Sequence, residues 1–309
     1  MSTAFLFPGQ GSWAQEIRGS ELAQSGAARE LLGLASVGLG IDLVEAVAKG
    51  APALSRTEVG QPALLALCIG AARELAARGI VPDAAAGHSV GELAAFAVAG
   101  CLSAEDAVAA SIERGRLMGA AARRCGGGML ALRSEQAVEE ARAWVAKLGH
   151  LELAAHNAPR EWVVSGTRPV LQAVAARMPS TWLPVEGPWH SSSMLDAETA
   201  WRQWLERIEL RPPRILLVAN ATGEAVGAED LRELLAGQLT RPIRWVRTLE
   251  TLARAPISDW RILGPGRTLR NLCRANLGAG AALSIEDGLP GAALEARPAA
   301  RPRALGDAA

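Results

Sequence analysis

Hydrophobic positions in the first hundred residues alternate between short apolar runs and stretches of helical spacing. The run from Ala4 to Phe7 predicts a buried strand that ends at the turn Pro8-Gly9-Gln10-Gly11. From Gln61 to Arg78 the apolar residues recur at helical spacing and predict a helix. A second strand at 84–86 and a second helix from Glu92 to about Val98 follow. Ser103 is typical of an N-cap, and it predicts a long helix that reaches about residue 123.

After the glycine run at 126–128, which we interpret as a hinge, the pattern changes. It predicts a strand, a helix, two strands, a helix and a strand, which is the split β-α-β order of a ferredoxin-like module. The predicted strands are 129–132, 151–156, 162–165 and 181–185, and the predicted helices are 135–148 and 169–178. We therefore expect an inserted ferredoxin-like subdomain over residues 127–186.

Beyond Gly187-Pro188 strands and helices alternate again. The predicted elements are the helices 195–208, 229–239, 245–253 and 268–276 and the strands 215–220 and 260–263. Such alternation is typical of a parallel sheet that is covered by helices on both faces, so the fold class is α/β. We expect this core to comprise residues 1–126 and 187–285. Residues 286–309 are rich in Ala, Pro and Arg without periodicity, which predicts a disordered tail.

The charge and cysteine content exclude several classes of protein. The 309 residues contain 32 Lys+Arg and 32 Asp+Glu, so nothing in the overall charge indicates nucleic-acid or membrane binding. No apolar stretch approaches the ~20 residues of a membrane span, and the N-terminus does not resemble a signal peptide. The four cysteines have neither metal-binding nor redox spacing, which predicts buried free thiols. A cytoplasmic protein is expected.

The turn between the predicted strand and helix carries the first sign of chemistry. Gly87-His88-Ser89-Val90-Gly91 matches the Gly-x-Ser-x-Gly nucleophile elbow, in which flanking glycines allow a tight turn that exposes the serine hydroxyl. The helix that follows directs backbone N–H groups at a developing oxyanion. Ser89 is therefore the candidate nucleophile.

A serine nucleophile needs a base, and the chain has four histidines, His88, His150, His156 and His190. His88 is adjacent to Ser89, so we expect its side chain to point away and to pack in the turn. His150 and His156 fall in the inserted module, where structural roles are ordinary. His190 lies in the loop that re-enters the main domain and is the candidate base. An ordinary α/β-hydrolase has its histidine late in the chain, and here more than 110 residues follow position 190, which disfavours a conventional esterase.

Ordered sequence blocks extend this motif over nearly the whole folded chain. They are Phe7-Pro8-Gly9-Gln10-Gly11-Ser12, Gln61-Pro62-Ala63-Leu64, Gly87-His88-Ser89-Val90-Gly91-Glu92, Arg114-Gly115-Arg116-Leu117-Met118, Asn157-Ala158-Pro159, His190-Ser191-Ser192-Ser193-Met194, Gln238-Leu239 and Gly264-Pro265-Gly266. Together they resemble the malonyl-CoA:acyl carrier protein transacylases and the acyltransferase domains of fatty acid and polyketide synthases. The resemblance implies an α/β-hydrolase-like core.

The resemblance also implies a role for individual residues. Ser89 would carry the acyl group, His190 would act as base and acid, and the Gln238 backbone carbonyl would orient His190. The Gln10 and Val90 amides would form the oxyanion hole. Arg114 would bind the carboxylate of a malonyl group, for which a guanidinium is suited. Gln61 and Asn157, in matching blocks, are further candidate substrate-binding residues.

The implied reaction is ping-pong transfer from malonyl-CoA to acyl carrier protein, with no metal and no cofactor beyond the CoA thioester.

Trp189 stands where malonyl-selective relatives tend to have Phe, and its bulk argues against an α-branched substrate, although it could merely pack against the module. Trp13 stands where the family often has Gln. The segment from Trp201 to Arg274 contains 13 arginines and 8 acidic residues. This excess of positive charge is either a docking face for an acidic partner or ordinary solvated surface.

Two rival functions remain open on the sequence alone. One is an acyl-carrier-protein hydrolase on the same scaffold, in which water deacylates Ser89. Arg114 counts against it, because an editing enzyme would favour neutral acyl groups, although Arg114 could also be an ordinary surface arginine. The other is a catalytically idle docking subunit, and the intact pair of Ser89 and His190 counts against that.

Overall fold

A parallel sheet of five strands forms the core of the protein. The structure is a computed structural model, and it describes residues 2–11, 21–148, 151–227, 231–278 and 280–286. The strands are β1 Ser2–Phe7, β2 Ala84–Gly87, β3 Gly128–Leu132, β4 Leu151–Ala158, β5 Glu161–Gly166, β6 Ser180–Trp182, β7 Leu216–Val218, β8 Ile257–Leu263 and β9 Leu283–Glu286. The parallel sheet has the order β7-β2-β1-β8-β9.

Helices cover this sheet and join its strands. They are α1 Gly26–Leu39, α2 Leu43–Lys49, α3 Thr57–Ala77, α4 Gly91–Val98, α5 Ala104–Cys125, α6 Glu135–Leu148, α7 Arg168–Ala175, α8 Leu195–Leu205, α9 Leu231–Gly237, α10 Trp245–Ala253 and α11 Arg267–Leu277. Short 3-10 helices occupy Glu21–Gln24, Pro52–Ser55 and Ser192–Met194. No single helix in the described part is long and apolar enough to cross a membrane, although α1 and α2, bent by 115° at their junction, pass that test together.

Burial on both faces explains the sequence of the central strands. Residues 4–7 of β1 are all buried, which agrees with a continuous apolar run rather than an alternating one. The register pairs Phe7 with Gly87 on β2 and Leu6 with Ile262 on β8. As a result, β1 and β2 end side by side, and the turns that follow them face each other at the carboxyl edge of the sheet.

The second sheet confirms the ferredoxin-like prediction. Its order is β4-β5-β3-β6 and every neighbouring pair is antiparallel, as a split β-α-β unit requires. Its own small core includes Leu130, Val164, Leu171 and Val174. The structure thus combines an α/β-hydrolase-like parallel sheet with a ferredoxin-like subdomain. The boundary residues proposed for these two parts stay a prediction.

Several predicted elements have different ends in the structure. The strand predicted over 181–185 stops at Trp182, because Pro184 lacks the N–H that a ladder needs. The helix predicted over 195–208 ends at Leu205, and the helix predicted from Gln61 already begins at Thr57. The strand predicted at 215–220 spans only Leu216–Val218, and the helix predicted at 229–239 is described as Leu231–Gly237.

Other features were missed or lie outside the described residues. Helices α1 and α2 and strand β9 were not predicted; α1 contains three glycines, which have low helix propensity. The prediction that all four cysteines are buried is wrong for Cys125, which is exposed at the end of α5. Trp13, His150 and the predicted tail beyond Glu286 lie outside the described residues.

Candidate active site

Ser89 lies in a sharp turn between β2 and α4. Its φ angle is 52°, a left-handed conformation that non-glycine residues rarely adopt. The two flanking glycines are required by close approach: a Cβ on Gly87 would lie 2.0 Å from the Gly91 carbonyl carbon, and a Cβ on Gly91 would lie 2.3 Å from the Phe7 carbonyl oxygen. The turn is therefore a strained elbow of the kind that the motif predicts.

Asn220 fixes this elbow from the neighbouring strand, and the sequence analysis missed it. Its side chain Oδ1 accepts the Ser89 N–H at 2.8 Å, and its Nδ2 donates to the Gly87 carbonyl oxygen. Asn220 follows β7, which pairs with β2, so both residues come from the carboxyl edge of the sheet. One signal in the sequence could have identified Asn220 as a site residue: it is a polar residue at the end of a predicted strand of the parallel sheet.

His190 is brought to Ser89 from the loop that leaves the ferredoxin-like subdomain. Its Nε2 is 3.0 Å from Ser89 Oγ, and its Nδ1 is 2.8 Å from the Gln238 backbone carbonyl oxygen. Because a carbonyl oxygen only accepts, the proton resides on Nδ1, and Nε2 has a free lone pair toward Ser89. His190 has a φ of 55°, and Ser89 and His190 are the only non-glycine residues with positive φ in the described ranges.

The surroundings of His190 keep its imidazole neutral. The ring is buried, with the residue 3% exposed. Burial, together with the nearby positive charge of Arg114, lowers the pKa of His190 to about 3. At neutral pH the ring is thus unprotonated and able to accept a proton from Ser89.

Arg114 on α5 is buried beside this pair, so the alternative of an ordinary surface arginine is wrong. Only 1% of the residue is exposed. Its guanidinium donates to Gln238 Oε1 through Nε at 2.9 Å and Nη2 at 2.6 Å, and to Gln61 Oε1 through Nη1 at 2.6 Å. Nη2 also lies 3.4 Å from Ser89 Oγ. Burial lowers the pKa of Arg114 to about 10, so the group remains a cation at neutral pH.

A buried carboxylate, Glu92, lies in the first turn of α4 and was also missed as a site residue. It accepts hydrogen bonds from Gln238 Nε2 and, at 2.6 Å, from the Asn220 N–H. Burial raises the pKa of Glu92 to about 7. Gln238 therefore connects four groups. Its backbone carbonyl orients His190, its Oε1 holds Arg114, and its Nε2 donates to Glu92 and, at 2.8 Å, to the Ser89 carbonyl oxygen.

Gln61 and Gln10 extend this network toward the surface. Gln61 Nε2 donates to Thr57 Oγ1 at 2.8 Å, and the Thr57 hydroxyl donates to Gln10 Oε1 at 2.9 Å. Gln61 also accepts from Arg114, so its amide is fixed at both ends. Sequence blocks that are far apart in the polypeptide are thus joined by one continuous series of hydrogen bonds.

The turn after β1 is pressed against the elbow. A Cβ on Gly9 would lie 2.7 Å from the His88 carbonyl oxygen and 3.3 Å from Ser89 Cβ, so only glycine fits. The next residue is Gln10, and Val90 directly follows Ser89. Among the described residues no group accepts the backbone N–H of Gln10 or of Val90. Within that part of the chain, both amides are therefore donors without a protein acceptor.

A cavity of about 250 Å³ extends from this region between the two sheets. Its walls include Gln10 and Leu272 from the main domain and Asn157 and Leu183 from the subdomain. Asn157 Oδ1 accepts from His88 Nε2 at 2.9 Å, and the His88 ring packs edge-on against Trp245. His88 thus packs away from Ser89 Oγ, as expected.

The rings of Trp189 and His156 each pack against other residues. Trp189 is 6% exposed, and a Cβ on Gly187 would lie within 2.8 Å of its ring and of Ala122 on α5, so the indole is packed beside these residues. His156 stacks on Trp162 within the subdomain, with 3.9 Å between the ring centroids. The structure therefore gathers Ser89, His190, Arg114, Gln238 and Gln61 in one buried network, with Gln10, Val90 and Asn157 at its edge and Trp189 and His156 outside it.

Solved structures have the same architecture. Malonyl-CoA:ACP transacylase from Synechocystis superposes with a TM-score of 0.85 at 29% identity and covers 94% of this chain and 98% of that chain. A malonyl-transacylase of a type II polyketide synthase, solved in complex with its acyl-carrier protein AntF, superposes with a TM-score of 0.83 at 28% identity, covering 93% and 96%.

Sequence relatives agree with the structural ones. Malonyl CoA-acyl carrier protein transacylase from Bacillus subtilis is 30% identical over 88% of this chain and 89% of its own length. Polyketide biosynthesis protein ThaF from Burkholderia thailandensis is 32% identical over 99% of this chain, which spans only 27% of that protein. The pattern of the acyl transferase domain family matches residues 4–256. The chain belongs to the acyl transferase domain family.

Proposed function

We propose that this chain transfers a malonyl group from malonyl-CoA to the phosphopantetheine thiol of an acyl carrier protein, through an ester on Ser89. The observation that carries the proposal is the buried Arg114 cation beside the hydrogen-bonded pair of Ser89 and His190. The names of the relatives from Bacillus subtilis and Synechocystis, and the carrier-protein complex of a third, support it.

In the first half-reaction His190 Nε2 takes the proton of Ser89 Oγ, 3.0 Å away, while Oγ attacks the thioester carbonyl carbon. The carbonyl π bond opens to an oxyanion, which the Gln10 and Val90 amides would bind. The C–S bond then breaks and the proton on His190 passes to the departing CoA sulfur. The product is a malonyl ester of Ser89 and free CoA thiol.

The second half-reaction reverses these steps with another thiol. His190 takes the proton of the phosphopantetheine thiol, and the sulfur attacks the ester carbonyl. The C–O bond to Ser89 breaks, and the proton returns to Ser89 Oγ. The cavity that leads from Gln10 between the two sheets is the proposed path for the pantetheine arm of both thiols, with Asn157 on its wall. No cofactor beyond the thioester substrate is required; that stays a prediction.

Arg114 would select the acyl group by charge. Gln61 and Gln238 hold the guanidinium in place, and two Nη hydrogens are not used by them. One is on Nη1 and the other is on Nη2, which faces Ser89 Oγ at 3.4 Å, so a carboxylate on an acyl group at Ser89 would accept from this side of the guanidinium. A neutral acyl chain would offer these remaining N–H donors no carboxylate to bind. The hydrolase alternative is disfavoured for the same reason, and the buried pair of Ser89 and His190 disfavours an idle docking subunit.

Initial-rate kinetics with both substrates varied would test this function. Ping-pong transfer predicts parallel double-reciprocal lines for malonyl-CoA and carrier protein, with little free malonate released. Intersecting lines would contradict a covalent intermediate. Fast release of malonate without carrier protein would favour the hydrolase. The cytoplasmic location expected from the sequence stays a prediction.

Replacing Arg114 with alanine is expected to reduce malonyl transfer by at least ~30-fold, because losing one partner of a buried charge pair costs roughly 2–5 kcal/mol. Acetyl transfer should rise relative to malonyl transfer, since the orphaned cation is gone. The measurement is kcat/KM for malonyl-CoA and acetyl-CoA. Arg116→Ala is the matched control, because Arg116 lies on the same helix, is exposed and pairs with Glu113. An unchanged preference in Arg114→Ala would remove Arg114 from substrate selection.

Replacing Trp189 with serine is expected to relax discrimination against methylmalonyl-CoA. The volume of the indole is proposed to exclude an α-methyl group, a sieve worth ~1–3 kcal/mol per methylene-sized difference. The requirement for a carboxylate should persist, because Arg114 is intact. The ratio of kcat/KM for malonyl-CoA and methylmalonyl-CoA tests this, and a ratio equal to that of the wild type would show that Trp189 only packs.

Arginines near the cavity are proposed to dock the carrier protein, which is acidic. Helix α11 contributes Leu272 to the cavity wall, and it carries Arg267 and Arg270; Arg241 follows α9. Arg241→Glu and Arg267→Glu are each expected to raise KM for carrier protein about fivefold, which corresponds to about 1 kcal/mol. Acylation by malonyl-CoA should not change.

The control is Arg211→Glu, because Arg211 is exposed, pairs with Glu209 and does not line the cavity. Carrier-protein transfer by the wild type should slow with added salt, since steering between exposed charges is screened. Salt-independent transfer would contradict a charged docking face.

A further inference from the structure

Two side chains of the ferredoxin-like subdomain hold the backbone on either side of His190. Before it, the Ser165 hydroxyl on β5 donates to the Trp189 carbonyl oxygen at 2.5 Å. After it, the Glu152 carboxylate on β4 accepts the Ser192 N–H at 3.1 and 3.0 Å, and also the Ser192 hydroxyl. One sheet therefore fixes both ends of the segment from Trp189 to Ser192, which contains the imidazole.

This segment needs external support because its conformation is unfavourable. The left-handed φ of His190 is unfavourable for a residue other than glycine, and such a residue persists only where its surroundings hold it. The 3-10 helix Ser192–Met194 begins two residues later, and Ser191 provides no side-chain cap for it. The Ser192 N–H would otherwise lack a partner at the start of that helix. Glu152 provides the missing cap from another sheet.

The partner of the other imidazole nitrogen is fixed to the same strand. His190 Nδ1 is oriented by the Gln238 carbonyl oxygen. Five residues later, Ile243 pairs with β4: the His156 N–H donates to its carbonyl oxygen at 2.8 Å, and its own N–H donates to the Ala154 carbonyl oxygen at 2.9 Å. Strand β4 thus holds both the loop of His190 and the segment that orients the ring.

We propose that Glu152 and Ser165 are positioning residues for His190, so that the ferredoxin-like subdomain sets the alignment of His190 Nε2 with Ser89 Oγ. This inference rests on the role of His190 as base in the proposed function. It assigns the subdomain a part in the chemical step in addition to its part in lining the cavity.

The test is the rate at which Ser89 reacts with an alkyl fluorophosphonate. In that reaction a bond forms from Ser89 Oγ to phosphorus, the P–F bond breaks, fluoride leaves, and His190 takes the serine proton. The reaction needs only the pair of Ser89 and His190. Its outcome therefore stands even if the wild type does not accept malonyl-CoA, which would be a separate failure of the proposed function.

Glu152→Ala and Ser165→Ala are each expected to slow this labelling about tenfold, less than the ~100-fold that a 1 Å misplacement can cost. With malonyl-CoA, kcat for acylation should fall by a similar factor and KM should stay within about twofold, because neither residue is proposed to bind substrate. Glu152→Gln should recover most of the rate, since its amide can accept from the Ser192 N–H and donate to the Ser192 hydroxyl.

Glu140→Ala is the matched control, because Glu140 lies on α6 of the same subdomain and bonds to Gln136 within its own helix. It should label at the wild-type rate. If Glu152→Ala and Ser165→Ala fold and label as fast as the wild type, the proposal is overturned. If either alanine variant does not fold, the labelling rate of Glu152→Gln decides. Because glutamine keeps both hydrogen bonds to Ser192, a rate about tenfold below that of the wild type would overturn the hydrogen-bonding account.

Discussion

Ser89→Ala is expected to abolish formation of the acyl-enzyme. Ser89 is the only serine whose hydroxyl lies 3.0 Å from His190 Nε2 among the described residues, and the elbow holds it there at a left-handed φ. Alanine removes the nucleophilic oxygen, and no other hydroxyl among the described residues is bonded to His190 Nε2. The measurement is the intact mass of the protein after incubation with malonyl-CoA, which should show no malonyl adduct.

The control for this variant is Ser193→Ala, because Ser193 is exposed in the loop after His190. It should acylate like the wild type. Circular dichroism should show that Ser89→Ala is folded, because alanine keeps the Cβ and therefore the left-handed backbone conformation that the elbow already accommodates. A malonyl adduct that persists in Ser89→Ala would move the nucleophile to another residue.

His190→Ala is expected to slow acylation by at least the ~100-fold that loss of a general base costs. Without the imidazole, the Ser89 proton has no acceptor, because the other polar group within reach of Oγ is the Arg114 cation, which only donates. Single-turnover acylation with malonyl-CoA measures the chemical step separately from carrier-protein transfer.

The matched control is His156→Ala, because the His156 ring stacks on Trp162 inside the subdomain, whereas the imidazole bonded to Ser89 Oγ is that of His190. Its acylation rate should remain close to that of the wild type. Near-normal acylation by His190→Ala would remove His190 from the mechanism, whatever its distance from the serine.

The elbow could be predicted from sequence because its determinants are local. The spacing of Gly87, Ser89 and Gly91 defines a turn that any strand-to-helix junction can form, and the structure has it where expected. The split β-α-β order was equally visible, since each of its elements has its own periodicity. The ends of elements were less predictable, as with the strand that Pro184 terminates.

The buried polar network could not be predicted from the same patterns. Glu92 and Asn220 are 128 residues apart, and only the parallel pairing of β2 with β7 brings them together. Nothing in the local sequence of Glu92 distinguishes a buried carboxylate from an ordinary acid in the first turn of a helix. The partner of His190 is a backbone carbonyl, which has no signature in the sequence, and Gln238 was found only through the family resemblance.

The most direct test of the central claim is intact-protein mass spectrometry of the wild type. The protein is incubated with equal concentrations of malonyl-CoA, acetyl-CoA and methylmalonyl-CoA, and holo acyl carrier protein is then added. The account predicts a malonyl adduct on Ser89 in clear excess over the other two. It should be stable in water and should pass to the carrier protein when that is added. Equal acylation by acetyl-CoA, or loss of the adduct to water before carrier protein is added, would contradict it.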